Sequence, residues 1–149
     1  MQFSCIRCHA VFQNPLRSLD RRRQQLGFQG NDASVQGTLT ILDAENMVNF
    51  CSPACRSAFE PVMVQALKLK FPWPTLGPIM PCGRCGKPVD GTEVHKAYAL
   101  VTLDFGSDPD SDVGICKRDD LLAVVCKACE GERTGDNTAA VPDRDRDAA

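Results

Sequence analysis

Eight of the nine cysteines lie in four close pairs, with two or three residues between the members of each pair. The pairs are Cys5 and Cys8, Cys51 and Cys55, Cys82 and Cys85, and Cys126 and Cys129. Such a spacer lets the backbone turn beneath a metal ion, so each pair can occupy one edge of a tetrahedron. Cysteines at this spacing are awkward disulfide partners. The pattern therefore predicts two structural Zn²⁺ ions, each held by four thiolates.

Sequential pairing is the simplest assignment of the ligands. Cys5 and Cys51 are 46 positions apart and Cys82 and Cys126 are 44 apart, so each half contains a pair, an insertion and a second pair. The expected ligands are Cys5, Cys8, Cys51 and Cys55 for the first ion, and Cys82, Cys85, Cys126 and Cys129 for the second. A cross-braced arrangement, which mixes pairs from the two halves, is the alternative.

Three further residues could replace a metal ligand. Cys116 is the ninth cysteine, and His9 and His95 are the two histidines. The eight paired cysteines already complete both tetrahedra, so we expect a free thiol and two imidazoles outside the metal sites, with ligand replacement as the alternative. A closed four-thiolate site has no open position for substrate or water, and no Cys-His-acid arrangement stands out. The protein is therefore expected not to be an enzyme.

Length and composition favour two small modules over one ordinary domain. The chain has 149 residues, and 43% of them are hydrophobic. Two cores that share this content are both small, so bound zinc is expected to supply part of the stability, and its removal is expected to unfold the protein. The expected fold class is a small zinc-stabilised α+β fold.

Charge and the ends of the chain bear on partners and compartment. The formal net charge is −2, and four thiolates around each divalent ion bring it to about −6. This charge disfavours a generic phosphate-binding surface. The N-terminus lacks a basic stretch followed by an apolar run, and no 18 apolar residues occur together. We therefore expect neither export nor membrane insertion, and a place in the reducing cytoplasm, where thiolate ligands persist.

The first module is expected to span residues 1–71, with an inserted helix between its cysteine pairs. Helix signals predict that insertion over residues 15–26, where a good N-cap and a proline precede apolar positions. The helix would carry the dense basic cluster Arg21, Arg22 and Arg23. Residues 38–42 and 47–50 are predicted to form a hairpin of two short strands joined by a polar turn.

A second helix is predicted directly after this hairpin. Ser52 can cap it and Pro53 can begin it, which places Cys55 in the first turn. Pro61 is expected to interrupt it.

The sequence FCSPACRSAF at residues 50–59 resembles the treble-clef zinc fingers. In the TRASH and FCS-type modules of that class, a knuckle is followed by a hairpin that ends in an aromatic residue, Cys and Ser. The likeness covers about residues 3–60, and the long insertion before Cys51 departs from it. The resemblance implies a zinc-stabilised interaction module, of a kind sometimes proposed to handle metals, without catalytic residues.

A proline-rich linker separates the two halves and is expected to be semi-rigid. It precedes a module that resembles a zinc ribbon, in which an antiparallel sheet holds two knuckles. The expected segments are a linker at 72–81, a ribbon module at 82–130 with strands over 94–105, 113–116 and 121–125, and a disordered tail at 131–149. The fold prediction is thus a treble-clef-like module followed by a zinc-ribbon-like β module.

The sequence favours a non-enzymatic adaptor or inhibitor-like protein that binds another protein. Trp73, the one tryptophan, is either an exposed anchor for the partner or a contact between the modules. The partner surface is expected near Trp73 and residues 106–111. The alternatives are a nucleic-acid-binding regulator that uses Arg21, Arg22 and Arg23, and a metal sensor or carrier with a labile site.

Overall fold

The computed structural model describes residues 2–28, 37–107 and 113–131. Within these ranges the chain forms short knuckle strands, four long strands and two helices. The elements are β1 Phe3–Ser4, β2 Val11–Phe12, β3 Leu16–Phe28, β4 Gly37–Phe50, α1 Pro53–Ala66, β5 Ile79–Pro81, β6 Pro88–Asp90, β7 His95–Asp104, β8 Ile115–Val125 and α2 Lys127–Gly131. In these ranges no helix is long and apolar enough to cross a membrane. Apart from Gly131, which ends α2, the expected tail lies outside the described residues.

One antiparallel sheet, in the order β4-β3-β7-β8, joins the two halves of the chain. β3 and β4 come from the first half, and β7 and β8 come from the second. β3 pairs with β7 along nine residues, and buried residues of both halves, such as Phe50 and Tyr98, belong to one core. The expectation of two separate small cores is therefore wrong. The two hairpins pair with each other through β3 and β7, so they form one sheet with one core.

Residues 15–26, where an inserted helix is predicted, lie mainly in β3. Near the end of this strand Arg22, Gln24 and Leu26 are buried and the residues between them are exposed, which is the two-residue period of a strand. The helix prediction is wrong because two of these buried positions are polar and are satisfied by partners on other strands. The three consecutive arginines consequently alternate between the two faces of a sheet.

β4 is one continuous strand where the sequence predicts a hairpin with a polar turn. The residues of the expected turn pair with β3, and Asp43 and Glu45 form ion pairs with Arg23 and Arg21. The turn prediction is wrong because these acidic side chains pair with arginines of the neighbouring strand and so stabilise a continuous β4. The hairpin partner of β4 is β3.

The predicted start of the second helix is confirmed. Ser52 is the N-cap of α1, and its Oγ accepts a hydrogen bond from the N–H of Cys55 at 3.1 Å. Pro61 lies inside α1 on its exposed side, so the predicted interruption is wrong. An interior proline costs about 3 kcal/mol, and burial of Phe59 and Met63 on the opposite face offsets this cost.

β8 is also continuous, although the sequence predicts two strands with a gap between them. Lys117 and Leu122 have no partner in the register with β7, so the strand contains bulges where a break is expected. Cys126 and Cys129 follow β8 at the start of α2. The second cysteine pair thus lies on a short helix, whereas a zinc ribbon would place it in a second knuckle.

The two halves repeat one arrangement of knuckle, hairpin and helix. Cys5 and Cys82 are 77 positions apart, and so are Arg21 and Tyr98, which lie directly opposite each other in β3 and β7. The bulge residues also correspond, 75 positions apart: Leu42 with Lys117, and Met47 with Leu122. The register of the central strand pair is therefore symmetric about Arg21 and Tyr98.

Candidate metal centres and the adjoining cavity

The first group of cysteines meets where β4 passes into α1. Cys5 and Cys8 lie in the turn between β1 and β2, Cys51 follows β4, and Cys55 lies in the first turn of α1. Their Sγ atoms all lie within 4.8 Å of one another. The Sγ of Cys51 is 3.5 Å from that of Cys8 and 3.8 Å from that of Cys55. Zn–S bonds of about 2.3 Å place the sulfurs of a tetrahedron about 3.8 Å apart, so the spacing fits one zinc ion.

The second group repeats this geometry at the start of α2. Cys82 and Cys85 lie in the turn between β5 and β6, and Cys126 and Cys129 follow β8. Their Sγ atoms are again within 4.8 Å, and those of Cys85 and Cys126 are 3.7 Å apart. In both groups the first and last cysteines are buried and the second is exposed. The cysteines thus form two groups in sequence order, each able to hold one ion, and not the cross-braced alternative.

Backbone N–H groups favour a thiolate at one cysteine of each group. Burial raises the pKa of Cys5, but backbone donors that include the N–H of Cys51 outweigh it and lower that pKa to about 6. Burial likewise raises the pKa of Cys82, and backbone donors lower it to about 7. The N–H of Cys126 lies 3.3 Å from the Cys82 sulfur. These donors stabilise negative charge on the sulfur that a zinc ion requires as its ligand.

Other thiols of the two groups hold their protons more tightly. A hydrogen bond with Cys8, followed by burial, raises the pKa of Cys51 to about 12. Burial also raises the pKa of Cys129. Zinc binding must displace these protons, so the metal affinity of both groups is expected to fall as the pH is lowered.

The donor set fits structural zinc. Four thiolates form a closed coordination shell, and in each group they come from a knuckle and from the start of a helix. A bound ion would therefore crosslink the knuckle to the sheet and helix. In the first half a backbone hydrogen bond from Ile6 to the carbonyl of Asn49, 2.9 Å long, already joins the knuckle to β4.

The other candidate ligands lie outside both groups. Cys116 is an exposed thiol in β8, and His95 is buried in β7. His9 has a φ of 66° and donates its N–H to the carbonyl of Cys5 at 2.9 Å, so it completes the knuckle turn. None of the three belongs to a metal-binding group of the described residues.

The basic cluster is divided by the sheet and neutralised. Arg21 and Arg23 are held in the ion pairs with β4, whereas Arg22 is only 3% exposed. The guanidinium of Arg22 donates to both carboxylate oxygens of Asp119 in β8, at 2.7 and 2.9 Å. Its partner in β7 is Ala97, and the long side chain reaches past that strand to β8. Arg22 is therefore a structural residue of the sheet, and the three arginines do not form one exposed patch.

A buried chain of hydrogen bonds continues from Arg22. Its Nε donates to Oε1 of Gln24 at 2.8 Å, and the amide of Gln24 faces Nε2 of His95 at 3.0 Å. A guanidinium can only donate, so Gln24 must turn its oxygen toward Arg22 and its NH₂ toward His95. Nε2 of His95 then accepts from Gln24, and Nδ1 donates to the carbonyl of Glu93 at 2.8 Å. This chain explains why polar residues are tolerated at buried positions of β3.

A cavity of about 590 Å³ lies beside this chain and next to Trp73. Its lining combines apolar walls with ion pairs: Arg22, Gln24, Leu26, Leu39, Arg56, Glu60, Trp73, Pro74, Leu76, Arg118, Asp119, Asp120 and Leu121. Trp73 is 44% exposed and has a φ of 59°, an unusual backbone conformation for a bulky residue and one that Pro74 further disfavours. A backbone hydrogen bond from its N–H to the carbonyl of Leu122, 2.7 Å long, fixes it against β8.

The sequence points to Trp73 but not to the polar residues that line the cavity beside it. Arg22, Gln24 and Asp119 are polar residues whose partners are 71 to 97 positions away along the chain. The one signal for them in the sequence is the two-residue spacing of Arg22, Gln24 and Leu26, which would indicate one face of a strand. The three consecutive arginines obscure this spacing.

Comparison with known proteins identifies no relative: no protein family matches the chain, and no curated protein or solved structure is significantly similar to it. Among the described residues, the two groups of four cysteines and the cavity beside Trp73 are the features from which a function can be argued.

Proposed function

We propose that this chain is a non-enzymatic, zinc-stabilised adaptor or inhibitor-like protein that binds a partner protein at Trp73 and the adjoining cavity. The observation that carries the proposal is the state of Trp73, which is half exposed although its backbone adopts a disfavoured conformation. Strained residues held by their surroundings concentrate at functional sites. Tryptophan is also enriched among the residues that dominate protein interfaces.

The role of zinc in this proposal is structural. Both cysteine groups are closed sets of four, which leaves no position for substrate or an activated water. In each half a knuckle, a hairpin and a helix follow one another, which is the order expected of a treble clef. We therefore extend the treble-clef likeness from the first half to the second, in place of the zinc ribbon. Eight free thiolate ligands suit a reducing compartment such as the cytoplasm.

Binding of nucleic acid is the less favoured alternative. It depends on Arg21, Arg22 and Arg23, but Arg22 is buried and the other two are paired with acidic residues of β4. Phosphate contacts would have to compete with these pairs on a protein of net negative charge. Salt separates the two functions, because affinity for nucleic acid falls steeply between 50 and 200 mM salt and an apolar interface changes little.

A metal sensor or carrier is the other alternative. Each group has one exposed cysteine, Cys8 or Cys85, through which a competing thiol or chelator could approach. A carrier should release zinc on the time scale of its transfer, whereas a structural site should lose it only with unfolding. Zinc transfer to a fluorescent chelator, followed together with circular dichroism, distinguishes the two.

The test of the proposed function uses the intact, zinc-loaded protein as bait. Trp73→Ala should lose the captured partner and keep both zinc ions. Val11→Ala, which truncates another exposed apolar residue, is the matched control and should keep the partner. The double variant Arg21→Gln with Arg23→Gln should also keep it. Capture that survives Trp73→Ala, or that is lost with the arginines, would contradict the proposal.

A further inference from the structure

The outer edge of β8 is covered by the chain itself along only part of its length. The N–H of Trp73 donates to the carbonyl of Leu122, and the N–H of Gly83 donates to the carbonyl of Val124, each at 2.7 Å. Cys82 and Val124 also form a parallel bridge. The segment that connects the two halves therefore pairs with the C-terminal part of β8 from outside, and this pairing begins at Trp73.

The N-terminal part of β8 continues beyond this covered stretch. β8 is the outermost strand of the four-stranded sheet, and no other strand of the described residues pairs with its outer side at residues 115–121. Ile115 is 62% exposed there. A row of unpaired backbone groups is a template for an added strand. Soluble proteins commonly protect such an edge with charged side chains.

The two carboxylates on this edge are bound to the chain's own arginines. The carboxylate of Asp119 binds Arg22, and that of Asp120 binds Arg56 and Arg118, both at 2.8 Å. Each arginine of the cavity therefore already has an acidic partner. An occupant that carries a net charge gains little here, whereas an uncharged apolar side chain finds walls formed by Trp73, Leu76 and other apolar residues.

We propose that an extended segment of the partner protein adds to the open edge of β8 at residues 115–121, beside Trp73, and places an uncharged apolar side chain in the cavity. This inference rests on the proposed function, because it gives the chemistry of the partner that Trp73 binds. The added strand continues, along the same edge, the pairing that the chain makes with itself at Leu122 and Val124. Backbone hydrogen bonds supply affinity in this mode of recognition, and pockets for side chains supply specificity.

The dimensions of the site agree with such an occupant. A volume of about 590 Å³ lies within the range of about 300 to 1,000 Å³ that ligand pockets occupy. The cavity borders this stretch of the edge strand, since its lining includes residues 118–121 of β8. A helix would leave the backbone groups of the edge without partners, and a nucleic acid would find no arginine without a carboxylate among the three that line the cavity.

The probe is a phage-displayed library of twelve-residue random peptides, selected on the intact zinc-loaded protein. Selected peptides should alternate apolar and polar residues. Their Kd should rise at least about tenfold for Trp73→Ala and for Leu76→Ala, and should not change for Val11→Ala. Amide hydrogen exchange should slow at residues 115–121 when peptide binds. The amides of Ile41 to Glu45 in β4, the other outermost strand, serve as the internal control and should not slow.

The outcomes separate this inference from the proposed function. Peptides that depend on Trp73 but protect no amide of β8 would overturn the added strand and leave Trp73 as a partner site. Peptides that bind Trp73→Ala and Leu76→Ala as tightly as the parent protein would also overturn it. Binding of single-stranded oligo(U) that is lost with Trp73, together with failure to select peptides, would overturn both. Zinc content measured for every variant shows that each one is folded.

Discussion

His9 and Gly86 occupy the same place in the two zinc knuckles. Each donates its backbone N–H to the carbonyl of the first cysteine of its knuckle, at 2.9 Å from His9 to Cys5 and 2.8 Å from Gly86 to Cys82. Both have positive φ angles, 66° and 80°. The knuckle turn therefore imposes a left-handed residue on both halves, and only the second half meets the demand with glycine.

Gly86→Ala should lower the stability of the protein by more than the strain of the positive φ alone would. An added Cβ would lie 3.0 Å from the ring of Phe71, in addition to the strain of the positive φ. We expect a loss of about 2–3 kcal/mol. Gly106→Ala is the matched control, since Gly106 has a φ of 78° but nothing within 4 Å of its added Cβ, and it should lose about 1 kcal/mol. Urea denaturation of both zinc-loaded variants tests this, and equal losses would contradict the packing argument.

Cys51→Ser should remove one of the two zinc ions, whereas Cys116→Ser should remove none. Only Cys51 belongs to a group of four sulfurs. Loss of a structural zinc from a small protein should cost several kcal/mol, and the shared sheet should spread this loss to the second half. Native mass spectrometry counts the ions and thermal denaturation measures the loss. Zinc release from Cys116→Ser would refute the assignment of ligands.

Arg22→Met should cost about 2–4 kcal/mol, although methionine is an apolar residue at a buried position. It leaves Asp119 and the oxygen of Gln24 without the donors that now bind them. The neighbouring Arg23→Gln removes an exposed ion pair with Asp43, which water and salt screen, and should cost much less than Arg22→Met. Similar midpoints for the two variants in urea would show that the pair of buried Arg22 with partly exposed Asp119 adds no stability.

Asp20→Asn should stabilise the protein at pH 7. Burial raises the pKa of Asp20, although hydrogen bonding from Ser18 and the charge of Arg22 oppose the shift. A carboxyl with a raised pKa contributes stability that is complete below its ordinary value near 3.8 and is lost as the pH rises through the folded value. The advantage of the asparagine variant should therefore shrink as the pH falls toward 4. Melting temperatures from pH 4 to 7 measure the effect.

Asp43→Asn is the control of opposite sign for this experiment. A hydrogen bond from Arg23 lowers the pKa of Asp43. That carboxylate contributes stability above its ordinary pKa and loses it as the pH falls. The asparagine variant should be slightly less stable than the parent at pH 7, and a gain there would contradict the assignment of the ion pair.

The metal ligands and the start of α1 could be predicted because their signals are local. Paired cysteines two or three residues apart have few geometric options, and Ser52 followed by a proline caps a helix within one turn. The strands could not be assigned in the same way. In the sequence, Gln24 and Arg22 look like exposed polar residues. They are buried because His95 and Asp119 supply hydrogen-bond partners, and these partners are brought close only by the pairing of the strands.

The pairing of the two hairpins in one sheet could not be predicted from the sequence for a related reason. Hairpin formation follows from proximity along the chain, but the pairing of β3 with β7 joins residues about 71 to 87 positions apart. The proline-rich segment indicates a boundary, and it lies between the two cysteine groups in the chain, although its last residues, Ile79–Pro81, form β5. Nothing in it indicates that the segment lies along β8 while the halves share a sheet.

The symmetric register about Arg21 and Tyr98 is the one that two copies of a single half would adopt around a two-fold axis. The chain thus joins its two similar halves in one polypeptide in the way that a two-fold symmetric homodimer joins two copies. Either half made alone would expose its long central strand and the apolar side chains that now pack against the other half. Its nearest substitute for the missing half is a second copy of itself, so self-association is the expected fate of a separated half.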